Sequence, residues 1–167
     1  MQFHMSTSVL GEEHPSTLTS IANLASTFRD QGRWKEAEEL FMHVMETSLR
    51  VLGEEHPDTL TSIANLASTY RNQGRRKEAE ELDVQVMETQ KRVLGAEHPD
   101  TLNSMNNLAF TLKGQGRGTE AIELMDKCVA LCTRIMGVSH PFTLSSSAAL
   151  VRWQTEKLDI GNSTAMD

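Results

Sequence analysis

Large rings are scarce in this chain, which holds two Trp, one Tyr and five Phe in 167 residues. Its core must therefore be built mainly from small aliphatic side chains, as where helices pack closely on helices. Cysteine is limited to Cys128 and Cys132. Two thiols make no disulfide framework, and a reducing, cytoplasmic compartment is the default expectation. A positive balance is also missing: 16 Lys and Arg face 23 Asp and Glu, a net charge of −7. That argues against nucleic acid as a partner, since phosphate neutralisation needs a basic face. No apolar run approaches the ~18 residues of a membrane span, so no membrane partner is expected either. Met1-Gln2-Phe3-His4-Met5-Ser6-Thr7 lacks a charged start and an apolar stretch, so no secretory signal is read. No Gly-x-Ser-x-Gly, His-Glu-x-x-His or Lys-bearing phosphate loop occurs. The chain is therefore expected not to be an enzyme, and to need no cofactor and no metal.

What the chain does have is a repeat. Gly53-Glu54-Glu55-His56-Pro57-Asp58-Thr59-Leu60, running on to Leu94, has an earlier copy from Gly11-Glu12-Glu13-His14-Pro15. A later copy, at the same offset in the other direction, starts from Gly95-Ala96-Glu97-His98-Pro99. A fourth copy opens at Gly137-Val138-Ser139-His140-Pro141 and fades after Leu150. The division that follows is a helix tail over 1–10, repeats over 11–52, 53–94 and 95–136, a single-helix partial repeat over 137–160, and a disordered tail over 161–167. The first two copies agree at 33 of 42 positions, so a repetitive surface is expected rather than one bespoke pocket. A long fixed period marks units that cannot bury an apolar face alone and must stack on their neighbours.

Each copy reads as two helices. The first opens near His14-Pro15-Ser16-Thr17, where Pro suits the first helical position and Ser or Asp suits a cap. Leu18, Ile21, Leu24, Ala25 and Phe28 follow at three- and four-residue spacing, a helical stripe. Gln31-Gly32-Arg33 ends it, with Gly as the left-handed residue. The second helix runs from about Trp34 to Leu52, with Ala37, Leu40, Phe41, Val44 and Met45 on one face and Gly53 as its stop.

Leu24-Ala25 with Phe28, then Ala37, Phe41 and Val44, resemble the tetratricopeptide signature, lengthened from its usual ~34 residues to the step from Gly11 to Gly53. Leu66-Ala67, Tyr70, Ala79 and Val86 carry it in the second copy; Leu108-Ala109, Leu112, Ala121 and Met125 carry it in the third. The His-Pro-Asp-Thr-Leu, Asn-Leu-Ala, Gln-Gly-Arg and Glu-Ala-Glu elements are similar to the kinesin light chain type. That type also forms C-terminal arrays on fungal nucleotide-binding sensor ATPases. The resemblance covers roughly residues 5–153 and implies an all-α, right-handed α-solenoid of antiparallel helix pairs, a tetratricopeptide-like superhelix.

The resemblance also places the first helices along a concave groove and the second helices on the convex back. Residues off each apolar stripe then face inward: Thr19, Asn23, Ser26 and Arg29, then Thr61, Asn65, Ser68 and Arg71, then Asn103, Asn106, Asn107, Phe110 and Lys113. Asn both donates and accepts, which suits the amides of an extended peptide. The cations would favour acidic side chains. A polar inner face that is merely solvated is the competing reading.

Other motifs have plainer explanations. His14, His56, His98 and His140 each open a different copy, too far apart for one zinc ion, so they read as turn elements. Cys128 occupies the position of Val44 and Val86 and reads as a small core residue, with Cys132 a partly exposed thiol. Gly114-Gln115-Gly116-Arg117-Gly118 joins two helices and follows no strand, so it is not read as a phosphate loop. The basic run from Arg71 to Lys77 is followed at once by Glu78, Glu80 and Glu81, and reads as a solvated turn.

Two functional classes follow. The first is a non-catalytic scaffold that binds a protein or peptide partner, acidic in preference, in the groove. The second is a structural or regulatory segment of a larger nucleotide-binding sensor ATPase. Neither end shows a polar capping helix, which leaves self-association through open repeat ends as a further expectation. Two departures from the pattern stand out. Gln154 replaces the aromatic of the fourth copy, whose helix should run on towards Ile160 before Gly161. Asp83 stands where Phe41 and Met125 stand; it is expected at the solvent edge, and Asp83→Phe is expected to stabilise the chain.

Overall fold

Every His-Pro pair begins a helix. The computed structural model describes residues 11–164, with side chains through residue 160. These residues hold seven helices and no strand: α1 (Pro15–Asp30), α2 (Trp34–Leu52), α3 (Pro57–Asn72), α4 (Arg76–Leu94), α5 (Pro99–Gly114), α6 (Gly118–Met136) and α7 (Pro141–Thr164). The expected helix tail over 1–10 lies outside the described residues.

The histidine is itself the cap of these helices. His14, His56 and His98 sit in extended backbone just before the prolines of α1, α3 and α5. Each ring accepts at Nδ1 from the backbone N–H two residues on, at 3.2 Å from Ser16, 3.1 Å from Asp58 and 3.1 Å from Asp100. His140 accepts likewise from the Phe142 N–H. The sequence reading gave this task to Ser16 and Asp58. Those residues instead lie inside the first turn and supply the N–H, because proline at the first helical position places the cap one residue before it.

The Gln-Gly-Arg turns close α1, α3 and α5 by a second device. After α1, the Arg33 N–H reaches the Phe28 carbonyl at 2.8 Å and the Gly32 N–H reaches that of Arg29 at 3.0 Å. This is the Schellman pattern, and it requires the left-handed Gly32, at φ 75°. Arg33 then lays its guanidinium 4.0 Å from the Phe28 ring centre and pairs with Glu36 in the first turn of α2. Arg75 repeats both contacts with Tyr70, at 4.0 Å, and Glu78, at 2.5 Å. Glu38 of α2 clamps that same turn, accepting from Gln73 at 2.8 Å and Arg75 at 2.7 Å.

The chain forms two compact bodies, one ending at Leu82 and the other beginning at Asp83. In the first, α1 packs on α2 and α2 on α3. Ala25, Ala37, Phe41 and Leu66 form one buried cluster; Leu18, Ile21 and Val44 form another. In the second body, α5 packs on α6 and α6 on α7. Its core joins Leu108, Ala109, Leu112, Ala121, Met125, Ala149, Leu150 and Trp153. Burying one ring such as Phe41 contributes about 1.5–3 kcal/mol.

Four expectations are corrected here. Asp83 is not at the solvent edge: it is 3 % exposed and accepts from the Thr111 hydroxyl at 2.6 Å. Asp83→Phe would remove that acceptor and force a ring into space shaped for a carboxylate, so the expected gain in stability no longer follows. Cys132 is fully buried with Cys128, whose sulfur lies 3.8 Å away. The aromatic missing at Gln154 is supplied one residue earlier by Trp153, which is buried and meets Phe110 edge-on at 5.0 Å. Finally, α7 does not stop at Gly161 but reaches Thr164, so the expected tail is helical that far; residues 165–167 lie outside the described residues.

Candidate functional site

Helices α1 and α3 of the first body lie side by side against α2 and leave a hollow of about 270 Å³. The same two sequence elements build both of its walls. Thr27 and Thr69 each bond back to a carbonyl four residues earlier, at 3.0 Å, and those carbonyls belong to Asn23 and Asn65. The two Asn side chains line the hollow together with Thr19, Ser26, Thr61 and Ser62. Among the described residues, neither Asn amide has a hydrogen-bond partner. Each can therefore offer a donor and an acceptor to a guest.

Five of the residues expected in the groove of this body are thus brought together: Thr19, Asn23, Ser26, Thr61 and Asn65. Ser68, Arg29 and Arg71 do not line the hollow. Arg29 lies 3.7 Å from Asp30 and 5.7 Å from the centre of the Phe41 ring. Sequence reasoning missed the floor, which α2 supplies through Val44, Ser48 and Leu52. The resemblance assigned α2 wholly to the convex back. Val44 was legible as part of the apolar stripe and Leu52 only as the last residue of the helix; both are left in part to the hollow. Asp58 was also missed; it puts a carboxylate on the lining.

The second body treats the equivalent row differently. Asn103 is exposed. Asn106 accepts from the Ser146 hydroxyl of α7 at 3.1 Å. The Asn107 carbonyl accepts from Thr111 at 3.2 Å. Phe110 meets the Trp153 ring edge-on, and Lys113 bonds Glu156 at 2.8 Å with its ammonium 5.9 Å from the Trp153 ring centre. The Lys113 ammonium holds the Glu156 carboxyl below its ordinary range. Side chains of α7 therefore already engage three of the five residues expected to face a guest here.

No group of three metal-ligating side chains occurs among the described residues. Nor is any described helix long and apolar enough to cross a membrane.

The helix pairs, their glycine turns and their shared register define an all-α solenoid-repeat protein. Models of the tetratricopeptide repeat match residues 17–91, 60–117 and 101–142. Among solved structures, the Podosopora anserina kinesin light chain nearly identical TPR-like repeats match at a TM-score of 0.77 and 32% identity, over 98% of this chain and 77% of that one. A variant of the same protein matches at a TM-score of 0.79, with the same identity and coverage. BtubC (BKLC) from P. vanneervenii matches at a TM-score of 0.71 and 19% identity, over 83% of this chain and 57% of that one, a likeness of fold. No curated protein matches the sequence. The chain belongs to the tetratricopeptide repeat family, in the kinesin light chain-like form. Proteins of this fold generally act as non-catalytic scaffolds for protein interactions.

Proposed function

We propose that this chain holds an extended segment of a partner protein in the hollow between α1 and α3, using Asn23 and Asn65 to bond its main-chain amides. The observation that carries this reading is the pair of unpartnered Asn amides on neighbouring helices, over an α2 floor of Val44, Ser48 and Leu52. An extended strand needs donors and acceptors along its length and a place for alternate side chains, and this lining offers both. Hydroxyls from Thr19, Ser26 and Thr61 extend the polar rim. Arg29 lies six residues beyond Asn23 on α1, about 9 Å along the axis. Acidic side chains on a segment that continues along α1 would meet it there.

Peptides selected from a displayed library against the intact chain provide the probe. Their affinity should fall at least tenfold in the Asn23→Ala, Asn65→Ala double variant, because two peptide hydrogen bonds are lost at about 1 kcal/mol each. Asn107→Ala, at the equivalent position of the second body, should have little effect. Selected peptides that bind the double variant as tightly as the parent would overturn the reading.

A further inference from the structure

The second body has a hollow of its own, of about 490 Å³, between the last turns of α4, the start of α5 and the middle of α6. Met87, Met105, Leu124 and Leu131 form its apolar walls, together with Ala96 and Ala130. Its size is that of small-molecule sites, which are apolar cavities with a few placed polar groups. Three polar side chains line it: Lys91, Thr101 and Lys127. The Thr101 hydroxyl is already given to the Gly95 carbonyl at 2.8 Å. Lys91 and Lys127 have no ion pair or hydrogen bond among the described residues, although the exposed Glu88 and Glu123 lie about one turn away on the same helices.

The internal repeat shows how far this lining departs from the common pattern. Where Ala96 stands, the first two copies carry Glu12 and Glu54; where Ala130 stands, they carry Glu46 and Glu88. Leu131 replaces Thr47 and Thr89, and Lys127 replaces His43 and Gln85. Lys91 stands where the first copy has Leu49. The third copy thus drops two carboxylates, exchanges a hydroxyl for hydrocarbon and gains a cation, all around one hollow. In a chain of net charge −7, this is a local reversal of sign on an apolar lining.

We infer that this hollow is a binding site for a free aliphatic monocarboxylate, its acyl chain among the apolar walls and its carboxylate held by Lys91 and Lys127. A peptide segment suits it poorly. The main chain of a peptide needs donors and acceptors, which the side chains of this lining, unlike those of the Asn23–Asn65 hollow, do not offer. A hydrocarbon chain has no such groups to leave unpaired. The two Met side chains are pliable and can close on a chain of no fixed shape, and no ring lines the hollow to favour a planar guest. The Lys stems extend the apolar wall while their charges select an anionic head. The site belongs to the second body and shares no residue with the Asn23–Asn65 hollow, so alanine at those two positions should leave it unaffected.

The probe is sodium decanoate, titrated into the intact chain labelled with carbon-13 at its methionine methyls and read by magnetic resonance. The Met87 and Met105 signals should shift saturably, while that of Met42, exposed on α2 of the first body, should not. Decanol, with the same chain and no charge, should bind at least tenfold more weakly. Lys91→Met combined with Lys127→Met should weaken decanoate at least tenfold. Binding by apolar contact alone would instead hold or rise, because that change makes the lining more apolar. Ala130→Glu restores the residue of the other two copies, so it should keep the helix content by circular dichroism yet weaken decanoate at least tenfold as well. The inference fails if decanoate produces no saturable shift, or if Met42 shifts with the same midpoint. It fails too if decanol matches decanoate, or if either variant binds decanoate as tightly as the parent.

Discussion

Thr111 has one hydroxyl proton and two acceptors within reach, the Asp83 carboxylate at 2.6 Å and the Asn107 carbonyl at 3.2 Å. The shorter contact takes the proton, so the carboxylate gains a strong, buried hydrogen bond. Thr111→Val keeps the shape and deletes that donor. It should lower stability by about 1.5–3 kcal/mol, read as a shifted urea midpoint at unchanged slope. A midpoint equal to the parent would mean the bond contributes nothing. Cys128 makes a second case. Burial, with the Cys132 thiol beside it, pushes its thiol from 9.0 up to about 12. The folded state thus favours the neutral thiol. Its contribution to stability is whole below pH 9, where the unfolded thiol is still protonated, and is lost as the pH rises towards 12. Native Cys128 should accordingly react with iodoacetamide at pH 8 at least tenfold more slowly than in urea, by mass spectrometry; equal rates would show the thiol to be open. The sequence marked Asp83 as a break in the pattern but could not reveal its partner, which lies 28 residues away on another helix. Cys132 was misread for a related reason. Its helical face was legible, but which part of that face α5 and α7 cover was not.

At the scale of the helix, the entry and exit signals were the most legible features. Proline and glycine act through the backbone alone, so their spacing predicts α1 to α6 without reference to packing. The cap itself was harder to see, since histidine is not among the preferred residues for that position. Its ring nitrogen can nonetheless accept as an Asn oxygen does. His56→Ala should therefore destabilise the chain by about 0.5–2 kcal/mol, the range for lost caps, while His56→Asn should restore most of the loss. Thermal unfolding of both variants tests this. If Ala and Asn behave alike, the ring acts by filling space and not by capping. The end of α7 was misjudged because Gly161 was read as a stop. A glycine ends a helix only where the chain beyond it turns back onto something. It otherwise costs about 1 kcal/mol and is tolerated.

At the scale of the whole molecule, a chain of charge −7 would repel an acidic segment, and only local cations could hold one. Arg29, Arg71 and Lys113 occupy equivalent positions in three successive copies, and each already has an interaction within the chain. Their joint replacement by Gln or Met should weaken an acidic peptide and flatten its salt dependence, since partly exposed charges are screened within about 10 Å at 0.1 M salt. Isothermal titration at two salt concentrations decides the matter. An affinity indifferent to both changes would leave recognition to the Asn amides. The period made the family legible from its residues. The hollow was legible only in part, because its floor comes from helices assigned to the other side. The turns carry one more consequence. From Gly11 through Gly32 and Gly53 to Gly137 the left-handed glycines are evenly spaced, so the long and the short helix occupy slots of equal length. A gene for such a chain can lose or gain the codons of one whole unit, Gly11 to Leu52, and leave every turn and every buried face in phase. A change of half that length keeps the turns in phase but sets like helix against like, a frame error that the spacing of the glycines alone would never disclose.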